Sequence, residues 1–252
     1  MSSVNAAPHQ HGERVPHAPN SLARTALLSA IVTLAFAAPS IVSVLSGRGI
    51  ANETRLSRAM LSCFGGITLP ILGAAVAGNL LGVNSRARRR LDRLVAAGLD
   101  PRRALPGPYA VTVLVAAFSA GLVSAVVISA LRSTLHLGTT KLAAIDALGS
   151  AWSVGLGAAT WTSIALVLVA KTGRPGRGYL AVLIDLGTRL LPGAFAWVAP
   201  SAHVSNLLGA APPPSLVHVP VLDQRLSSIV LVASFALFSY LATRRYTGAP
   251  GN

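Results

Sequence analysis

Charge is what this chain has least of. Only 11% of its 252 residues are charged, seven of them carboxylates, whereas an ordinary soluble domain carries about 25%. A soluble surface needs about 25–35% charged side chains, so a water-soluble globule is not expected. Cys63 is the one cysteine, which excludes a disulfide framework and any multi-cysteine metal site. Lysine occurs twice, at Lys141 and Lys171, and neither follows a glycine, so the G-x-x-x-x-G-K-[ST] phosphate loop is missing. H-E-x-x-H and G-x-S-x-G are missing too, which leaves zinc-protease and serine-hydrolase chemistry without a motif.

What is present is apolar and basic: 52% hydrophobic residues, a mean hydropathy of +0.61 and a net charge of +14. So much apolar content argues against disorder and for a polytopic membrane protein. A helix crosses the hydrocarbon in about 20 residues. The stretches between charges then predict an all-α integral membrane fold with six spans, near 25–47, 59–84, 107–131, 147–170, 178–200 and 226–243. Pro106 and Pro108 place the start of the third helix near Tyr109. Residues 1–20 read as a disordered tail, 21–246 as the membrane domain and 247–252 as a C-terminal tail. Arg24, the run after it and Ala35-Phe36-Ala37 also resemble a cleavable signal peptide, but the run continues through Ile41-Val42, which favours a retained span.

With six spans, both termini share a side. On it fall Arg14, Arg24, the seven arginines of the loop 84–106, Lys171, Arg174, Arg177, Arg244 and Arg245. The other side holds Arg48, Arg55, Arg58, Arg132, Lys141 and Arg225. Positive charge favours the cytoplasm, so N-in/C-in is expected. Tyr109, Tyr179, Tyr240 and Tyr246 then fall at inner ends, with Trp152 and Trp197 at outer ends, as interfacial aromatics do. Trp161 sits mid-span and fits neither belt. Since the basic residues lie in short loops beside spans, they signal topology and not nucleic-acid binding.

Several segments invite a sharper reading. Ala74, Gly78 and Gly82 form a four-residue ladder of small side chains, a helix-packing seam in lipid; Gly121/Ala125 and Gly155/Ala159 repeat it. In the loop after the second span, Leu91, Leu94, Val95 and Leu99 recur on one helical face, and Gly98 and Pro101 end the segment. This amphipathic helix reads as a docking element whose apolar face enters a partner's groove, or as a basic patch on anionic lipid. Asp185 and Arg189 are four apart on the fifth span and can pair within the membrane, structurally or in transport. The stretch 201–222 is apolar and proline-rich, which suits an outer re-entrant segment; its His203 and His218 read as packing or solvent-facing residues and not as ligands. His9, His11 and His17 lie in the tail and offer no convincing metal site. Asn52-Glu53-Thr54 matches a glycosylation sequon, but 19 arginines against two lysines look like a bacterial chain, which discounts it.

The layout resembles the permease subunits of ABC-2 type transporters over nearly the whole chain. Locally, Arg88 to Leu105 looks like that family's coupling region, Phe238 to Tyr246 like its ending at an Arg-Arg pair, and Trp197 to His203 like its proline-bearing turn after span five. The acidic residue usual before the coupling helix is absent, Ser85 and Arg86 standing there. The resemblance implies a permease dimer, homomeric or heteromeric, in a bacterial inner membrane, working with a separate ATP-binding subunit. ATP and magnesium would be held by that partner, with no cofactor or metal on this chain and no enzyme activity of its own. Docking is then expected at Arg90, Leu91, Leu94, Val95 and Leu99. The lipoprotein-release and cell-division type of ABC permease is a rival, because Arg90, Leu94, Gly98 and Arg102 fit its loop spacing, although its large outer domain is missing. A membrane scaffold and an integral membrane enzyme are rivals from other classes.

Overall fold

The computed structural model describes residues 19–46, 56, 59–61, 63–134, 146–189, 197–209 and 223–246. His9, His11, His17, the 52–54 sequon, Lys141, His218 and the final tail lie outside the described residues. Every regular element among the described residues is helical. In chain order they are α1 (Pro19–Ser46), α2 (Thr68–Leu81), α3 (Arg86–Ala96), α4 (Pro101–Ala104), α5 (Pro106–Thr134), α6 (Ala147–Ala170), a 3-10 turn (Pro175–Tyr179), α7 (Leu180–Arg189), α8 (Pro200–Leu207) and α9 (Gln224–Arg245).

Four of these helices are long and apolar enough to cross a membrane, or five if α2 and α3 count as one span bent by 45°. Five arginines on α3 argue against putting it in hydrocarbon. The apolar continuation of α2 lies on its other side instead, where Ala59, Met60, Cys63 and Phe64 are helical and buried. The fifth predicted span is helical over ten residues, about 15 Å, before residues 190–196, which are not described. Prolines start helices here rather than delaying them. α1 begins at Pro19, inside the predicted tail, and α5 at Pro106 instead of near Tyr109. A first-turn proline loses no hydrogen bond and has its φ preset.

Three carboxylates that looked idle in the sequence are N-caps. Asp100 accepts from Arg102 N–H and Asp223 from Arg225 N–H, each at 2.9 Å, and Asp146 from Gly149 N–H. Each satisfies a helix-end donor that would otherwise lack a partner.

α6 is the centre of the bundle. Buried on nearly every side, it touches α2, α5, α8 and α9, as a helix apolar all round should. Trp161 is fully buried in its middle, which explains why it belongs to no interfacial belt. Glycines set the crossing with α5: a Cβ on Gly121 would lie 2.7 Å from the Ala151 carbonyl oxygen, and one on Gly155 3.1 Å from that of Ala117. The sequence reading of these two small residues as packing positions fits this geometry. Hydroxyl groups add bonds between helices. Tyr109 Oη meets Ser163 Oγ at 2.7 Å and Ser239 Oγ at 2.6 Å, joining α5, α6 and α9; Tyr109 is therefore buried and not an interfacial aromatic. Outward, Leu114, Phe118, Leu122 and Val126 form an exposed stripe on α5. Such a stripe is a liability in water and ordinary in lipid.

The ladder on α2 divides. Ala74 lies against Gly178, and a Cβ on Gly78 would sit 3.1 Å from Pro175 Cβ; both pack on the 3-10 turn. Gly82 does not pack. It is the C-cap of α2, its N–H bonded to the Gly78 carbonyl at 2.9 Å. Two helix backbones meet at Gly73, outside the ladder, whose Cβ would lie 2.6 Å from the Trp161 carbonyl.

Candidate docking site

One end of the bundle gathers α3, the loop after α6 and the end of α9. Ser85 caps α3 by accepting from Arg88 N–H at 2.9 Å, while its own hydroxyl donates to the Leu80 carbonyl at 2.7 Å. The C-terminus closes as a Schellman motif. Leu99 N–H bonds the Leu94 carbonyl and Gly98 N–H that of Val95, both at 3.0 Å, with Gly98 at φ +92°. Only glycine takes that backbone cheaply. The turn folds residue 99 back toward residue 94, so Leu94 (48% exposed) and Leu99 (41% exposed) stand out together. Arg86, Arg89, Arg90 and Arg93 are exposed around them.

The five residues expected to dock separate accordingly. Arg90, Leu94 and Leu99 face outward, and Val95 is half-buried. Leu91 is 2% exposed and belongs to this chain's own core, so it anchors the helix and is not offered to a partner. A wheel drawn from sequence puts every leucine on one face, but a helix lying on a bundle divides that face at its edge.

The inward face also carries a charge. Arg88 is 5% exposed; its Nη1 donates to the Leu81 carbonyl at 3.0 Å, and Nε lies 3.5 Å from Asp92 Oδ2. Tyr246, which caps α9, donates its hydroxyl to Asp92 Oδ1 at 2.9 Å across 154 residues of sequence. Burial, then the Asp92 carboxylate beside it, pushes the phenol well above its ordinary range, against the opposing Arg88 charge. The phenol therefore stays a donor throughout neutral pH. Because the folded-state value is raised, the resulting stability is complete below about pH 10 and fades above it, as the unfolded tyrosine ionises first. The gap in denaturation midpoint between the parent and Tyr246→Phe should narrow above about pH 10.

Gly173 closes the cluster. At φ +65° it leaves space for the guanidinium: a Cβ there would lie 2.3 Å from Arg88 Nη1, while its N–H donates to the Val169 carbonyl and its carbonyl accepts from Val83 N–H, both at 2.8 Å. Gly173→Ala should cost about 1–2 kcal/mol for the left-handed backbone alone, before Arg88 shifts, as a lowered thermal midpoint would report. Sequence reading missed Arg88, Asp92, Gly173 and Tyr246. Its one available signal was the i,i+4 spacing of Arg88 and Asp92.

A second polar cluster holds α8 between the middle of α6 and the start of α9. Val204 packs on Gly157, ten residues into α6, about 15 Å from its start. His203 Nε2 lies 2.7 Å from the Trp197 carbonyl. A carbonyl only accepts, so Nε2 carries the proton and Nδ1 accepts from Ser227 Oγ at 3.2 Å. Asn206 Nδ2 donates to the same Ser227 oxygen at 2.8 Å. Both ring nitrogens are thus engaged, which fits the packing role expected for His203. Asp185 is completely buried and accepts the Ser201 hydroxyl, tying α7 to α8. The Arg189 side chain lies outside the described residues, and with it the expected pair. Among the described residues no group of three histidine, cysteine or carboxylate side chains could hold a metal.

The chain matches no family model, curated protein or solved structure. The reading of its function therefore stands on this geometry and on the pattern of its sequence.

Proposed function

We propose that the chain is the membrane-spanning permease subunit of an ABC-2 type ATP-driven exporter, with six spans, both termini cytoplasmic, and a separate subunit binding and hydrolysing ATP. The observation that carries it is the exposed Leu94/Leu99 pair ringed by arginines, on a short helix clamped between two apolar helices. An apolar centre with a charged rim is how docking surfaces are built, and the basic rim suits an acidic edge on the partner. The clamp gives a push on α3 a stiff route into α2 and α9.

The layout supports the same reading. The arginine-rich α3 and α4, the loop after α6 and the Arg244-Arg245 end of α9 form one basic pole, which suits the cytoplasmic side. α8 lies at the depth of the bundle interior near the other pole, as an outer re-entrant segment would. The permease would act as a dimer in a bacterial cytoplasmic membrane.

Purification of the tagged full chain from its native membrane should bring an ATP-hydrolysing subunit with it. Leu94→Asp should lower the co-purified ATPase activity about tenfold, since a buried carboxylate at an apolar centre costs more than 1.4 kcal/mol. Undiminished activity with Leu94→Asp would overturn docking at α3. No ATPase with the parent chain would turn the reading toward a scaffold.

A further inference from the structure

The docking helix is fastened by two independent sets of bonds, and they lead to different helices. Ser85 to Leu80 and Arg88 to Leu81 tie α3 to the end of α2, its neighbour in sequence. Asp92 ties it to Tyr246 at the end of α9. Between the two stands Arg88, which reaches the α2 carbonyl with one nitrogen and Asp92 with another. Tyr246 is 1% exposed, so the donor side of this bond is shielded from water, while Asp92 keeps partial access to it. Elsewhere α9 is mostly exposed, with Leu226, Ile229, Val232 and Leu237 facing outward. Its inner end is held on the bundle by the Tyr109–Ser239 bond and by the packing of Phe238, Leu241 and Ala242, and the Asp92 bond is a polar, directional link from there to α3.

We infer that Arg88, Asp92 and Tyr246 form a relay that makes α3 and the inner end of α9 move as one body. Arg88 orients the Asp92 carboxylate, Asp92 accepts the phenol, and the phenol fixes the last turn of α9. These are positioning residues. The inference rests on the docking reading for what drives α3, and on the hydrogen bonds alone for the connection to α9. Displacement of α3 by a partner would then reach the first and last spans of the domain unequally: α9 through the relay, α1 only through α2 and α5.

The test uses the full chain in lipid nanodiscs, with Cys63 replaced by serine. Nitroxide labels are placed at exposed sites, Arg90→Cys with Arg245→Cys, and Arg90→Cys with Leu148→Cys as a reference across the bundle. The parent should give one narrow distance for each pair. Tyr246→Phe and, separately, Asp92→Leu, which removes the acceptor, should widen the 90–245 distribution about twofold and leave 90–148 unchanged, because the bonds to α2 remain. A parent 90–245 distribution that is already broad, unchanged widths in both variants, or equal widening of both pairs would each overturn the relay. The ATPase co-purification is read separately on the unlabelled parent and on the Tyr246 and Asp92 variants with Arg90, Leu148 and Arg245 intact. Its failure in the parent removes the docking reading while the distances still decide the connection, and unchanged distances remove the relay while docking stands.

Discussion

Gly73→Leu should leave no folded protein to purify, and Gly73→Ala should already lower the thermal midpoint. At Gly73 the backbones of α2 and α6 meet with nothing between them. A Cβ there would sit 2.6 Å from both the carbonyl carbon and oxygen of Trp161, and 2.8 Å from the nitrogen of Thr162. All three are backbone atoms in the middle of the central helix, so no rotamer change relieves the overlap. The helices must separate, and because α6 also carries α5, α8 and α9, the separation opens contacts well beyond one residue. Overpacking by a methyl group costs about 1–3 kcal/mol; four heavy atoms exceed that. The check is the monodisperse yield in detergent, beside Gly187→Ala as a control. Gly187 is helical with nothing within 4 Å of its added Cβ, so that change should be neutral or stabilise by about 0.5–1 kcal/mol. Equal behaviour of the two variants would refute the close approach.

The second large effect is expected at Arg88. Arg88→Met keeps the stem but removes the bond to the Leu81 carbonyl and the charge facing Asp92. Asp92 is 24% exposed, so water recovers part of the loss, and the cost should be about 2–3 kcal/mol and not the upper range for sealed pairs. Arg88→Lys should restore little, because an ammonium group cannot span both acceptors as the guanidinium fork does. Adding Asp92→Leu to Arg88→Met should recover about 1 kcal/mol, since the stranded carboxylate goes with its partner. Denaturation midpoints of the parent, Arg88→Met, Asp92→Leu and the double variant give the coupling. Arg89→Ala, on the exposed side of the same helix, should stay within about 0.5 kcal/mol of the parent, and if Arg88→Met matches it the inward cluster contributes nothing.

Much of the architecture could be read along the chain because hydrocarbon tolerates so little. The charge-poor runs overlap the apolar helices α1, α5, α6 and α9, although α1 starts six residues before its expected span, and Gly98 and Pro101 marked the end of α3 through backbone preference alone. The Gly121 and Gly155 pattern likewise pointed to a real close crossing. Such features depend on neighbours a few residues away, or on the membrane acting as a uniform solvent. The same local logic failed for Pro106, expected to delay its helix to near Tyr109 when it starts it, and for the tail 1–20, whose Pro19 starts α1.

What the sequence determined by itself was therefore an all-helical, apolar chain whose basic residues collect in short segments, with α3 set among them. Which way α3 faces was decided only by tertiary structure. Leu91 and Leu94 are equivalent on a helical wheel, yet one is core and the other surface, because α2, the Gly173 turn and Tyr246 cover one side. Arg88 looked like one more solvated charge. It is buried because the Leu81 carbonyl at a helix end, Asp92 one turn away and the space left by Gly173 converge on it. That convergence joins Arg88 to Gly173 and, through Asp92, to a tyrosine 154 positions further along the chain, and no local preference encodes it.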